Sequence, residues 1–386
     1  MTNHKWGSKP IMLGLALMSS LCVLGAASTQ GAEAKISWQV EWEKTVKAGE
    51  QEGQLVLYAQ SGFGEMFEKS DFQKKFPKIK VVLVSARGAE LVSRIMAERR
   101  AGKFIADVGI DFGNDSPWNL YQAKVLDPVP SVFFLPEVAD AANWWQGKHQ
   151  YIDPEGKYIF VYVGVPQYFV AYNKNLVNRE ELKSYWDLLS PKWKGKITAF
   201  DPQSSGYGAT AARFFYHHPE LGPKFLKRFY SEMDVTIYRQ IPQGEDWLAA
   251  GKYSLCLCRH QSIGEAIQQG LPVDEINAHV LKEAPGLGSN SQTLILLNKA
   301  PHPNAAKLFI NWFLSKEGQT DFQNASASGP EGALSSLRMD VPKDGIPPRN
   351  RIVPGVKYVV QWNPNMLDMK PIRQLISEAI AEGKKN

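Results

Sequence analysis

Residues 254–261, Ser-Leu-Cys-Leu-Cys-Arg-His-Gln, set an apolar run directly against three polar side chains. Arg259 offers a planar fork of N–H donors that fits a carboxylate or phosphate in two-pronged fashion, and His260 and Gln261 add further donors and acceptors. A buried strand reads this way where its carboxyl end opens on a cleft; the plainer alternative is a surface ion pair for Arg259 and a structural His260. A second cluster, Asp201-Pro-Gln-Ser-Ser-Gly-Tyr-Gly208, stands just before a helix-like run from Ala209. The hydroxyls of Ser204 and Ser205 and the free N–H groups near Gly206 and Tyr207 can converge on an anion there, or simply cap the helix. Weaker candidates are Ser61 and Gly62 after an apolar stretch, Asp111 and Asn114 as acceptors for a ligand's hydroxyl or amine, and Arg239 after Thr236-Ile237-Tyr238.

Catalytic patterns are missing. The chain has no Gly-x-Ser-x-Gly, His-Glu-x-x-His, phosphate-binding P-loop or Gly-x-Gly-x-x-Gly, and so no cofactor is expected. Cys256 and Cys258 lack the second cysteine pair of a metal site and read as two buried free thiols, since a bridge between them would close a strained ring. His217-His218 falls at a helix end, where histidine suits the dipole, so no metal is expected.

The candidates need a scaffold that brings turns together, and the elements supply one. Gln54–Tyr58, Ile79–Val84 and Ala106–Asp111 read as strands, with helical spacing over Ala89–Gly102 between them. Such alternation argues for a parallel, doubly wound α/β sheet, in which ligands bind outside the carboxyl ends of strands. Tyr151–Phe160 is a hairpin around Asp153-Pro-Glu-Gly156, so antiparallel pairing also enters. Val161–Tyr172, broken by Pro166, is too long for one strand and reads as a crossing between domains. A second series follows: a helix over Glu180–Leu189, strands over Lys196–Phe200 and Tyr253–Cys258, and helices over Ala209–Tyr216 and Glu245–Ala250. Thr293–Leu297 is the second crossing candidate, before a helix over Asn304–Leu314, and a last helix spans Pro371–Glu382. The expected division is 35–165 for the first part of one lobe, 166–292 for the other, and 293–386 for the return with C-terminal helices.

Composition agrees with an ordinary globular chain: 386 residues, 44% hydrophobic and 22% charged, long enough for two domains. A formal net charge of +5 is too small for a nucleic-acid footprint. Lys5 and Lys9, the run Ile11–Ala27 and the small-x-small site Ala32-Glu-Ala34 read as a secretory signal peptide over 1–34. The mature chain is therefore expected outside the cytoplasm, with no later run of ~18 apolar residues to span a membrane.

The segments "EGQLVLYAQSG", "RIMAERRAGKFIADV", "AYNKNLVNREELKSYWDLLSPKWKGKITAFDPQSSG" and "PHPNAAKLFINWFLSKEGQ", in this order and spacing, resemble the periplasmic solute-binding proteins of ABC importers, closest to the iron(III)-type branch. The resemblance implies a two-lobed type II fold, each lobe a doubly wound mixed sheet, with two interdomain crossovers and a ligand enclosed by hinge closure. It implies a monomer that hands a small-molecule solute to a membrane permease and ATPase, without nucleic acid and without catalysis. Iron-binding members carry two adjacent tyrosines just past the strand matching Tyr253–Cys258. This chain has Gln261-Ser262 there, or Arg259-His260 in a shifted register, and an arginine would repel a cation. The expected solute is therefore an organic anion. The alternatives are ferric iron held by other tyrosines, such as Tyr172 and Tyr207, with an anion, and an enzyme on the same fold.

Overall fold

The structure is a computed structural model. It describes residues 21–62, 67, 71–112, 116–204, 206–258, 260–289, 291–327 and 332–385, and for 21–36 and 260–261 the backbone alone.

The first element among the described residues is the helix Leu21–Glu52, which runs through the expected cleavage point. From Trp38 onward it packs Trp42 and Val46 on the first core and is pinned by Glu52, whose carboxylate accepts from the backbone N–H groups of Asn304 and Ala305. Strands β1 (Gln54–Gln60), β2 (Lys80–Ala86) and β3 (Val108–Ile110) are parallel, with the helix Gly88–Arg100 crossing between β2 and β3. β1 is buried on both faces, the mark of a central parallel strand. β4 (Leu126–Asp127) follows. β5 (Gln150–Tyr151) and β6 (Phe160–Val161) then form the expected hairpin, its turn held by Asp153, whose carboxylate accepts from the N–H groups of Lys157, Tyr158 and Ile159.

The chain next passes through β7 (Val165–Gln167) into β8 (Ala171–Asn173), β9 (Ile197–Phe200), β10 (Thr236–Tyr238), β11 (Leu255–Leu257) and β12 (Val273–Glu275). It returns through β13 (Gly286–Gly288) to β14 (Thr293–Leu297), and the tail adds β15 (Val359–Val360). Three sheets result among the described residues: β2-β1-β3-β14-β6-β5 with β4 on β14, β10-β9-β11-β8-β12, and the small β15-β13-β7. The small sheet is the junction, for both crossing strands lie in it, antiparallel, with Leu287 opposite Pro166. One large core lies around the first sheet and a second around β8, β9 and β11. The C-terminal helix Lys370–Gly383 buries Ile372, Ile376 and Ala379 in the second core.

Three expectations need correction. Thr293–Leu297 is not the crossing: every residue of β14 is buried, and it sits between β3 and β6. The crossing is Gly-Leu-Gly at 286–288, too short and glycine-rich to show a strand period. The helix expected over Glu180–Leu189 is two 3-10 turns, Arg179–Glu181 and Tyr185–Leu189, because the buried Glu283 carboxylate captures the Ser184 hydroxyl and the Tyr185 N–H and breaks the run. Cys256 and Cys258 are joined in a disulfide rather than free. Two residues of regular strand span about 6.6 Å. β11 ends at Leu257, and the two Cα atoms stand 5.2 Å apart, inside the range a bridge needs.

Candidate functional site

Because β1, β2 and β3 are parallel, their carboxyl ends share one edge of the first sheet; β9, β10 and β11 likewise share an edge of the second. The sequence-derived candidates distribute over these two edges.

On the first edge, Ser61 and Gly62 leave β1 exposed, with the Ser61 N–H on the Ala86 carbonyl at 3.0 Å. Asp111 leaves β3 with φ 60°, a left-handed conformation that aspartate tolerates better than most residues. Its N–H donates to Thr293 at 2.8 Å, and its buried Oδ1 accepts from the Tyr162 hydroxyl. Burial pushes the Asp111 carboxyl up to about 8, against the opposing pull of hydrogen bonds from Tyr162 and Gln292. The carboxyl is thus largely neutral at pH 7. Asp111 was expected as an open acceptor for a ligand; the structure instead spends one oxygen on Tyr162, because the antiparallel β14 and the β6 hairpin close over it. Neither Tyr162 nor Gln292 was legible as its partner. Gln292, at the amino end of β14 beside Asp111, keeps its Oε1 buried with no hydrogen-bond partner among the described residues.

On the second edge the organiser is Asp201, another residue the sequence did not single out. Its Oδ1 accepts from the Gln203 N–H at 2.9 Å and its Oδ2 from Arg239 Nε at 2.7 Å. The Arg239 side chain stays 77% exposed, so the guanidinium is anchored on one side and open on the other. Ser204 donates its hydroxyl to the Asp201 carbonyl at 2.7 Å, leaving oxygen lone pairs to accept. The two glycines flanking Tyr207 each have a structural cause. Gly206 has φ 95°, and a Cβ on Gly208 would lie 2.2 Å from the Asp201 carbonyl oxygen. Tyr207 opens the helix Tyr207–His217, but its hydroxyl donates to the Phe169 carbonyl at 3.1 Å, which removes it from the set of free ligands.

Tyr172 does not join the site. β8 runs antiparallel to β11 and has carried the chain past the cleft edge by residue 172, opposite Leu255 at the amino end of β11, where the ring is buried in the second core. Its hydroxyl is tied to Asp274. Asn114, Ser205 and Arg259 lie outside the described residues. His260 and Gln261 open the helix His260–Gln268, placed directly after β11. His218 is structural: its Nδ1 accepts from the Glu220 N–H, so Nε2 donates to the Ala284 carbonyl at 2.9 Å.

A cavity of about 470 Å³ lies between the helix Ser116–Gln122, which follows β3, and the start of the C-terminal helix; Trp118, Asn119, Lys370 and Arg373 are among its lining. Gln203 joins this region to the second edge by donating to the Arg373 carbonyl at 3.1 Å. No group of three or more His, Cys, Asp or Glu poised for a metal occurs among the described residues, and none of their helices is long and apolar enough to cross a membrane.

Residues 69–344 match the family of bacterial extracellular solute-binding proteins. The iron uptake protein A1 of Synechocystis is 24% identical over 254 residues, 62% of this chain and 65% of that protein. Among solved structures, apo FutA2 from Synechocystis is 18% identical with a TM-score of 0.61, covering 85% of this chain and 98% of that one. A Trichodesmium protein (IdiA, FutA) in complex with iron and citrate is 20% identical, TM-score 0.59, over 86% and 99% of the two chains. AfuA from Actinobacillus pleuropneumoniae, with exogenous fructose-6-phosphate bound, is 20% identical, TM-score 0.53, again over 86% and 99%.

Proposed function

We propose, because this chain belongs to the bacterial extracellular solute-binding proteins, that it captures a small organic anion, a carboxylate or phosphate, between its lobes and delivers it to an ABC permease and its ATPase. The chain has the two-lobed type II fold of these proteins, and its relatives bind solutes rather than transform them. The observation that carries the anion is the second edge: Arg239 fixed on Asp201 beside the Ser204 hydroxyl, with the sequence placing Arg259 at the end of the adjacent strand. Hydroxyls, backbone N–H groups and guanidinium donors are the set that carboxylates and phosphates accept from.

Closure about the junction sheet encloses the solute, and binding shifts the equilibrium only by its preference for the closed form. Micromolar affinity, about −8 kcal/mol, suits such a carrier. Residues 1–34 direct export, and the mature chain works in the periplasm as a monomer.

A second reading, ferric iron with an accompanying anion, is favoured by two findings: the Synechocystis relative is an iron uptake protein, and the Trichodesmium protein is in complex with iron and citrate. Native mass spectrometry separates the two. The chain from residue 35 onward, purified without added ligand and compared with its denatured mass, is expected to carry an organic acid or phosphate ester. An excess mass of iron moves the assignment to the second reading, and turnover of the bound molecule revives an enzyme.

A further inference from the structure

Three arginines differ in how they are satisfied. Arg338 is buried and saturated, with Nη1 on the Leu314 carbonyl at 2.7 Å, Nη2 on Glu137 at 2.6 Å and Nε on Asp340 at 2.8 Å. Arg239 has Asp201. Arg349 is half-buried yet enters none of the ion pairs among the described residues. It sits in the short turn Pro348–Asn350 of the tail, fixed by Asn350, whose buried Nδ2 donates to the Ala333 carbonyl at 3.2 Å. Ile352 and Val356, just beyond, pack on the first core. The turn therefore belongs to the first lobe.

Its guanidinium nevertheless reaches the second. A Cβ placed on Gly264, in the helix His260–Gln268, would lie 2.8 Å from Nη1 and 3.1 Å from Nη2 of Arg349. Arg349 is also close enough to Tyr168, between β7 and β8, to act on its phenol: burial pushes that pKa up to about 12, and the guanidinium pulls against it. Gly264 lies in the helix that follows β11 and Tyr168 just before β8, so a half-buried guanidinium from the first lobe, outside the ion pairs of the described residues, lies beside the carboxyl end of β11.

We propose that Arg349 is the interlobe arginine that receives the solute's anionic group and ties the first lobe to the helix His260–Gln268 of the second. This rests on the anion-binding reading above. A guanidinium that gives up part of its hydration regains it only from an acceptor, and an anion arriving between the lobes supplies one. Gly264 leaves the space the planar group occupies; any side chain there displaces it. Because the arginine comes from one lobe and its contact from the other, its bond to the solute exists only in the closed form, and this is the differential affinity that closure requires.

The test is calorimetric titration of the mature chain with citrate and, separately, with inorganic phosphate, for wild type, Arg349→Ala, Arg349→Lys and Gly264→Ala, with the radius of gyration measured by X-ray scattering before and after addition. Wild type is expected to bind at least one probe and contract. Arg349→Ala should weaken binding at least about tenfold, the size of a lost charged hydrogen bond, and contract less; Arg349→Lys should recover part of the loss. Gly264→Ala should weaken binding with the arginine still present, which separates displacement of the guanidinium from misfolding. Arg349→Ala and Gly264→Ala both within twofold of wild type would overturn the role of Arg349 and leave the solute-binding reading standing. A wild type that binds neither probe, while native mass spectrometry finds a neutral or cationic solute, would overturn both.

Discussion

The two strand edges that carry the candidate residues treat an aspartate in opposite ways. On the first, Asp111 is sealed under β14 and the β6 hairpin, gives an oxygen to the Tyr162 hydroxyl, and is kept largely neutral by burial. On the second, Asp201 uses both oxygens to position groups that reach outward, the Gln203 N–H and the exposed Arg239. A neutral acid does not repel an anion, and an anchored guanidinium attracts one. An anionic solute therefore meets no charge penalty from Asp111 and a cation from Arg239, although each edge carries an aspartate just past a strand.

The largest effect that sharpens this contrast is a pH dependence. The Asp111 carboxyl titrates near 8 in the fold and near ~3.9 when unfolded, so between those limits the folded state holds the extra proton. Stability then falls as pH rises, by about 1.4 kcal/mol per unit, or about 3 kcal/mol between pH 5 and pH 7. Asp111→Asn keeps an oxygen for Tyr162 and removes the titration. The stability difference between variant and wild type, from urea unfolding at each pH, should grow in the variant's favour with pH. A flat difference would mean that Asp111 is ionised in the fold and the two edges are alike.

Next in size is Gly208→Ala, which strikes the second edge alone. The added methyl would lie 2.2 Å from the Asp201 carbonyl oxygen and 2.7 Å from its carbon, so the turn must move. Overpacking of this kind costs about 1–3 kcal/mol. Since the same turn carries the Ser204 hydroxyl and the Asp201 carboxylate, solute affinity should fall with stability, while the pH slope from Asp111 stays. Loss of stability with unchanged affinity would separate the turn from the binding site.

What the sequence disclosed and what it hid divide along the same line, between local chemistry and tertiary placement. β1 was readable because an apolar run closed by glycine is a local signal, and the hairpin was readable because Asp153, Pro154 and Gly156 are turn chemistry in themselves. The helix His260–Gln268 directly after β11 answers to the abrupt change of polarity at Arg259. Tyr172 was misplaced because nothing in its neighbours tells that β8 runs antiparallel to β11 and has left the cleft by that residue. The pairing of Asp111 with Tyr162 joins residues 51 apart in sequence, and the role of Asp201 depends on an arginine 38 residues later. Arg349 was hidden most completely: it lies in a proline-rich tail with no period, and its neighbours Gly264 and Tyr168 are far away in sequence. The Gly-Leu-Gly crossing was masked for the opposite reason, having too little side chain to leave a pattern.

Arg239→Ala should have the smallest effect on the fold and tests the second edge most directly. The Arg239 side chain is 77% exposed and that of Asp201 only 9%, so solvent screens the pair from the arginine side alone, and Asp201 keeps the Gln203 N–H when the arginine is lost; the cost to stability is about 1 kcal/mol. Its value lies in the field it offers an approaching anion, and such a charge acts chiefly on the association rate and its salt dependence. Stopped-flow binding is therefore expected to show a slower on-rate and a weaker dependence on ionic strength, with a melting temperature close to wild type. If instead the melting temperature dropped as far as in Gly208→Ala while the on-rate held, Arg239 would be a brace for the Asp201 turn. The second edge would then spend its charge on the fold, as the first does, and the cation for the solute would have to be sought at Arg259 and Arg349.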